Sequence, residues 1–74
     1  ASLKPPHELL GEVLRELGRA PEAVAAFQGS LALAPRRTPS LRGLAEAARA
    51  AGDQGLAAET ERTVAEIVAG QGRS

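Results

Sequence analysis

Apolar residues recur three and four positions apart in four stretches of the chain, the spacing that places side chains on one face of a helix. Charged residues such as Glu8, Glu12 and Arg15 fill intervening positions. The positions that form the four faces are Leu9, Leu10, Val13, Leu14 and Leu17; Val24, Phe27, Leu31 and Ala34; Leu41, Leu44, Ala45 and Ala48; and Leu56, Thr60, Thr63, Val64, Ile67 and Val68. The pattern predicts four amphipathic helices that bury these faces against one another.

Proline and glycine residues predict where the first two helices begin and end. Pro5-Pro6 opens the first helix, because proline is tolerated in the first helical turn, and Gly18 ends it as a glycine just past the C-cap. Pro21 begins the second helix. Pro35 ends it, because the residue before a proline avoids the helical conformation.

The same signals bound the third and fourth helices. Thr38 is predicted to be the N-cap of the third helix, with Pro39 as its first residue and Gly52 just past its end. Asp53 is predicted to be the N-cap of the fourth helix, and Gly70 to Ser74 to be a frayed tail. Because the turns are short, we expect neighbouring helices to run antiparallel.

A set of residues repeats after thirty-four positions, each time at the same place in a pair of helices. The repeated pairs are Leu10 and Leu44, Gly18 and Gly52, and Ala23 and Ala57. A fixed period of this size indicates a helical repeat, in which each unit buries its apolar face by stacking on a neighbour.

Counted from Lys4, the first repeat resembles the tetratricopeptide repeat family. The residues at the characteristic positions are Leu10, Gly11, Leu14, Gly18, Ala23, Phe27, Ser30 and Pro35, and all of them except Leu14 fit the family pattern closely. The turn from Glu16 to Val24 is also similar to the turn between the helices of that family. Two positions depart from the family pattern, since His7 and Leu14 stand where aromatic residues are common.

The second repeat, counted from Thr38, is a weaker copy. It keeps Leu41, Leu44, Ala45, Ala48, Gly52, Ala57 and Val64. It carries Glu61 where the family has an aromatic residue and Ala69 where proline is usual. A terminal helix has solvent on its outer face and tolerates such charges. We therefore expect the C-terminal piece of a longer array.

The resemblance implies an all-α fold of four antiparallel helices, arranged as two helix-turn-helix repeats in a right-handed α-solenoid. The repeats span about residues 4–37 and 38–70 of a single domain covering 1–74, with 71–74 as a disordered tail. It also implies a concave groove, lined by the first helix of each repeat, that binds a peptide or a partner helix. The positions that correspond to groove residues are Pro5, Glu8, Glu12, Arg15, Glu16, Pro39, Arg42, Glu46, Arg49 and Ala50.

Family members that clamp a C-terminal carboxylate carry Lys and Asn at two of these positions in the repeat. This chain has Glu8, Glu12, Arg42 and Glu46 there, so we expect no carboxylate clamp.

The groove charges have a second interpretation, a solvated face without a ligand. Glu12 and Arg15, Arg42 and Glu46, and Glu46 and Arg49 lie three or four residues apart. Such pairs stabilise an isolated helix by about 0.2–0.5 kcal/mol each.

Leu9 and Val13 widen the apolar face of the first helix beyond what its own partner helix covers. One interpretation is edge packing against Leu3 and the N-terminal segment. The other is a missing neighbour, either upstream repeats of a longer parent chain or a second copy in a homodimer.

Composition narrows the function classes. Nine basic and nine acidic residues are interspersed along the 74-residue chain, so no basic patch predicts nucleic-acid binding. No apolar run is long enough to predict a membrane span, and the N-terminal residues do not resemble a signal peptide. A cytoplasmic location is the default expectation. The chain has no cysteine, which excludes disulfides and cysteine-bound zinc.

Catalytic, cofactor and metal sites are not predicted. His7 is the only histidine and has no cysteine to join it in a metal site, so a structural role is expected. Ser30, Thr38 and Ser40 lack the sequence context of an activated nucleophile. The expected function is therefore non-covalent binding of a protein or peptide partner. The alternatives are a structural end-cap or self-association module, and an accessory domain of a larger protein.

Overall fold

The structure, a computed structural model, describes residues 4–71. This part of the chain forms four α-helices and no strand: α1 (Pro6–Glu16), α2 (Ala20–Leu33), α3 (Thr38–Ala50) and α4 (Gln54–Gln71). Each helix packs on the next in sequence, and α1 also contacts α3. The prediction of an all-α fold with four helices is confirmed.

The two turns within the predicted repeats have the same hydrogen-bonded geometry. Gly18 and Gly52 have φ angles of 79° and 85°, a left-handed conformation that glycine adopts without steric cost. The amide that follows each glycine donates to a carbonyl five residues back, Arg19 to Leu14 and Asp53 to Ala48. These bonds satisfy carbonyls that the helix end leaves unpaired. The predicted glycine stops are confirmed.

Two predicted helix boundaries differ from the structure. The Asp53 carboxylate accepts a hydrogen bond of 3.0 Å from the Leu56 amide, which confirms Asp53 as the N-cap of α4. Thr38 is not an N-cap, because α3 begins at Thr38 itself and no side chain caps it. Gly70 and Gln71 are helical rather than part of a tail, and residues 72–74 lie outside the described range.

The centre of the core is the ring of Phe27, which is fully buried. A Cβ atom at Gly11 of α1 would lie 2.8 Å from this ring, and one at Gly43 of α3 would overlap it. Both glycines therefore give the aromatic ring room between two helices, which offsets their unfavourable helix propensity. Ala23, Leu44 and Ala47 complete the buried cluster around Phe27.

The predicted buried face of α3 is confirmed, since Leu41, Leu44, Ala45 and Ala48 are all buried. On α4, Thr60 and Ile67 are buried as predicted, but Val68 is exposed.

The apolar residues of α1 do not form one buried face. The exposure of Leu9 and Val13 agrees with the expectation that they extend beyond the partner helix, whereas the exposure of Leu10 and Leu17 departs from the predicted buried face of α1. The buried residues of α1 are Glu8 and Gly11, and Leu14 is half-buried against the core cluster. We call the remaining four residues the α1 apolar face; they are Leu9, Leu10, Val13 and Leu17, with exposures of 52%, 49%, 44% and 66%. The reason is that α3 is packed between α2 and α4, whereas residues 4–71 supply no helix to cover this side of α1.

Candidate functional site

The ten groove positions separate into a buried, a half-buried and an exposed group. Glu8 is fully buried, and Pro5 and Glu12 are half-buried. The exposed residues are Arg15, Glu16, Pro39, Arg42, Glu46, Arg49 and Ala50. Nine of the ten are therefore accessible to solvent, and Glu8 is the exception.

Groove residues of α1 and α3 meet directly. The guanidinium of Arg15 on α1 donates a hydrogen bond of 2.8 Å to the carboxylate of Glu46 on α3. Both side chains are solvent-exposed, so the pair contributes little stability. The pair shows that predicted groove positions of α1 and α3 lie next to each other.

A pocket of about 240 Å³ opens beside this pair, between α3 and α4. It is lined by Arg42, Ala45, Glu46, Arg49, Glu61 and Val64. Four of these residues belong to the predicted groove or lie next to it on α3, and Glu61 and Val64 come from α4. The pocket therefore combines charged walls with the small apolar surfaces of Ala45 and Val64.

The ion pairs are not the intrahelical pairs that the sequence spacing predicts. Lys4 pairs with Glu12 at 2.7 Å, Arg15 with Glu46, and Arg49 with Glu61 of α4. The last pair explains how a carboxylate is accommodated at position 61, where the sequence resemblance predicts an aromatic residue. Arg42 forms no ion pair with any residue of the range 4–71.

Glu8, predicted to be a groove residue, instead forms a buried polar network. Arg37, in the turn between α2 and α3, donates two hydrogen bonds to its carboxylate, of 2.7 Å and 3.1 Å. The Ser40 hydroxyl of α3 donates a third, of 2.5 Å. A buried carboxylate must have such partners, since an unpaired one is strongly disfavoured. The bonds from Arg37 and Ser40 offset the cost of burying Glu8 and so allow it to point inward.

The network extends to α2 through a second serine. The hydroxyl oxygens of Ser30 and Ser40 lie 2.8 Å apart. Since Ser40 has one hydroxyl hydrogen and donates it to Glu8, Ser30 must be the donor to Ser40. The chain of bonds therefore runs from α2 to α3 to α1, and no buried side-chain polar atom of the described residues lacks a partner.

The network shifts the titration of both charged members. The Arg37 guanidinium, by hydrogen bonding to Glu8, lowers the pKa of this carboxyl below its ordinary value. Burial opposes this effect, and the Ser40 hydroxyl adds to it. The same hydrogen bonds raise the pKa of Arg37. Glu8 is therefore held as an anion inside the fold.

The helical pattern does not predict this network. One signal was present in the sequence, since Ser30 lies among the apolar residues of α2 and Ser40 precedes the buried Leu41. A hydroxyl within a buried face needs a partner; the partner of Ser30 is Ser40, and the partner of Ser40 is Glu8. The thirty-four-residue period does not predict the burial of Glu8, because the equivalent position in the second repeat is the exposed Arg42.

The remaining candidate for catalysis or metal binding, His7, packs against α2. The exposed His7 ring lies against α2, where a Cβ at Gly29 would be 2.8 Å from it. Within residues 4–71, no three His, Cys, Asp or Glu residues come together in a way that could hold a metal ion. In the same range, no helix is long and apolar enough to cross a bilayer.

Within residues 4–71, the exposed side of α1 and α3 therefore carries ion-paired charges and an arginine, Arg42, without an ion pair, and it borders a small pocket. Comparison with family models, with curated proteins and with solved structures gives no match, so membership of the tetratricopeptide repeat family stays an expectation from the sequence.

Proposed function

We propose that the surface shared by α1 and α3 binds a segment of another protein, as an extended peptide or as a helix. The observation that carries the proposal is the contact between Arg15 and Glu46, which brings groove positions from both predicted repeats onto one surface beside a pocket. Binding rather than catalysis is supported by the serines, since Ser30 and Ser40 are buried in hydrogen bonds with Glu8.

Charge suggests which ligands the pocket prefers. The carboxylates of Glu46 and Glu61 are paired with Arg15 and Arg49, whereas the Arg42 guanidinium is unpaired within residues 4–71. An acidic side chain of a bound segment would meet this guanidinium without first displacing a partner of it. Ala45 and Val64 provide apolar surface next to it. The preferred ligand is therefore a segment that combines an acidic residue with a small apolar one.

An array of extended peptides tests the proposal, with acidic, neutral and basic sequences each carrying apolar residues. We expect the acidic peptides to bind, and we expect Arg42→Glu to weaken their binding by about two- to fivefold, the range for an exposed ion pair. Isothermal titration calorimetry measures the affinities.

Arg62→Glu is the matched control, because Arg62 is also exposed on a helix but does not line the pocket. Equal affinities of the Arg42→Glu and Arg62→Glu variants would remove the pocket from the binding site. Failure of every peptide to bind would contradict the proposed function.

A second candidate function, self-association or stacking without a peptide ligand, is favoured by the exposed α1 apolar face. Contiguous apolar surface on a small protein is typical of an interaction site.

A further inference from the structure

The contact between α2 and α3 indicates how a helix packs on the first helix of a repeat. Ser40 of α3 is hydrogen bonded to Ser30 of α2. Gly43 lies directly against the Phe27 ring. Further along α3, Leu44 and Ala47 are buried in the cluster with Phe27. The α2-facing side of α3 therefore consists of positions 40, 43, 44 and 47.

The thirty-four-residue period maps these four positions onto α1, and the mapped residues are Pro6, Leu9, Leu10 and Val13. Three of them belong to the α1 apolar face and are about half exposed. In the thirty-four-residue repeat, the exposed side of α1 therefore corresponds to the side of α3 that α2 covers. Equivalence to that interface through the thirty-four-residue period, rather than exposure alone, indicates what covers α1.

We propose that a helix packs on α1 in the way that α2 packs on α3, and that Leu9 determines which helix fits. On α3, Gly43 leaves room for an aromatic ring, since a Cβ there would overlap Phe27. At the equivalent position of α1, the leucine side chain fills that room. The docking helix therefore carries a small residue, such as alanine, opposite Leu9.

Helix α4 of a second copy is a poor occupant. The residue of α4 equivalent to Phe27 is Glu61, which is paired with Arg49. Docking α4 in the manner of α2 would bring this carboxylate against Leu9 and remove it from solvent, which is unfavourable without a partner. Helix α2 of a second copy is already buried between its own α1 and α3. For packing in the manner of α2 on α3, the occupant is therefore the second helix of a different helical hairpin.

A chain with one added hairpin tests this inference. A second copy of residues 4–37 is inserted between Leu3 and Lys4 of the full chain, so that the thirty-four-residue period continues across the junction. The inserted Phe27 then faces the original Leu9. We expect the inserted copy with Phe27→Ala to dock, giving one cooperative thermal transition that lies roughly 4 °C or more above that of the original chain.

Leu9→Gly provides the specificity test, because it recreates the arrangement of Gly43 and Phe27. In the original chain, and in the extended chain with the inserted Phe27→Ala, Leu9→Gly should lower the melting temperature, since glycine is a poor helix former. In the extended chain with the inserted Phe27 retained, it should raise the melting temperature or leave it unchanged. An equal decrease in all three chains would overturn the role of Leu9.

Leu10→Lys provides the docking test. It should abolish the gain from the inserted hairpin and leave the melting temperature of the original chain almost unchanged. Ala25→Lys in the original copy is the control, because Ala25 is an exposed position on α2. Two results would overturn the proposal. One is a separate thermal transition for the inserted hairpin, and the other is an inserted hairpin that circular dichroism shows to be unfolded both with Phe27 and with Phe27→Ala.

Sedimentation equilibrium of the original chain distinguishes two possible occupants of the α1 apolar face, a helix of a different hairpin and a second copy of this chain. A monomer is expected. A dimer that Leu10→Lys converts to monomer would show that a second copy covers α1, and would also overturn the proposal.

Discussion

Glu8 links α1 to α3, because its carboxylate accepts hydrogen bonds from Arg37 in the turn before α3 and from Ser40 in α3 itself. Arg37 holds the carboxylate at the edge of the fold, where its own side chain is 34% exposed, and Ser40 holds it from inside. A buried ion pair is not by itself evidence of high stability, because desolvation offsets the attraction. The network fixes how α1 faces α3 instead of adding a large net energy.

Removal of the Ser40 hydroxyl tests the contribution of the buried network. Ser40→Ala eliminates a hydrogen bond to a charged group and leaves the Ser30 hydroxyl without its partner. We expect the free energy of unfolding to fall by about 1–3 kcal/mol. Urea denaturation followed by circular dichroism measures the change.

Thr38→Ala is the matched control, since Thr38 lies two residues earlier on the same helix and caps nothing. Its effect should be within about 0.5 kcal/mol. A Ser40→Ala variant as stable as this control would show that the network contributes nothing to stability.

The lowered pKa of Glu8 predicts loss of stability in acid. In the unfolded chain this carboxyl titrates near its ordinary value of 4.5, and in the fold it titrates lower. The contribution of Glu8 is therefore fully present above that value and is lost as the pH falls through the folded pKa. We expect the wild-type protein to lose more stability than Glu8→Gln between about pH 6 and about pH 3, because the amide does not titrate.

Urea denaturation at both pH values measures this difference. Parallel pH dependence of the wild type and Glu8→Gln would contradict a lowered pKa for the buried carboxyl.

Among the elements, the two turns that end α1 and α3 were the easiest to predict. Gly18 and Gly52 are signals in the local sequence, because the left-handed conformation after a helix selects glycine. The buried face of α3 was also predictable, since α2 and α4 of the same chain pack on it and bury its apolar residues. The start of α3 was not, because Thr38 has the chemistry of an N-cap but enters the helix as its first residue.

Replacement of the turn glycines tests the element boundaries. Gly18→Ala and Gly52→Ala should each lower the free energy of unfolding by about 1–2 kcal/mol, the cost of placing a Cβ in the left-handed region. Neither glycine has an atom within 4 Å of its Cβ position, so strain in the backbone is the only expected cause.

Gly55→Ala serves as the control for these variants. Gly55 is helical, without a positive φ, and its nearest neighbour would be 3.8 Å from the new methyl group. The substitution should stabilise α4 slightly through helix propensity. Chemical denaturation of all three variants compares them, and a loss of stability in Gly55→Ala equal to that in Gly18→Ala would contradict the role of the turn conformation.

At the scale of the whole molecule, the sequence predicted the number and class of helices better than it predicted which sides they share. Periodicity identifies a helical face but does not distinguish a face covered by the same chain from one that needs a different partner. For this reason the pattern placed Leu10 and Leu17 on a buried face of α1, although they are exposed, whereas the exposure of Leu9 and Val13 agrees with the expectation that they extend beyond the partner helix. The predicted ion pairs within α1 and α3 were also wrong. Arg15 and Arg49 instead pair with carboxylates on other helices, which spacing within one helix cannot reveal.

Phe27 has a consequence for spectroscopy that follows from its position. The chain contains no tryptophan or tyrosine, so this ring is its only aromatic chromophore. It lies between Gly11 of α1 and Gly43 of α3 while belonging to α2. Any aromatic signal in near-ultraviolet circular dichroism therefore arises from a single site where three helices meet, and loss of that signal would report separation of the helices even if each remained helical.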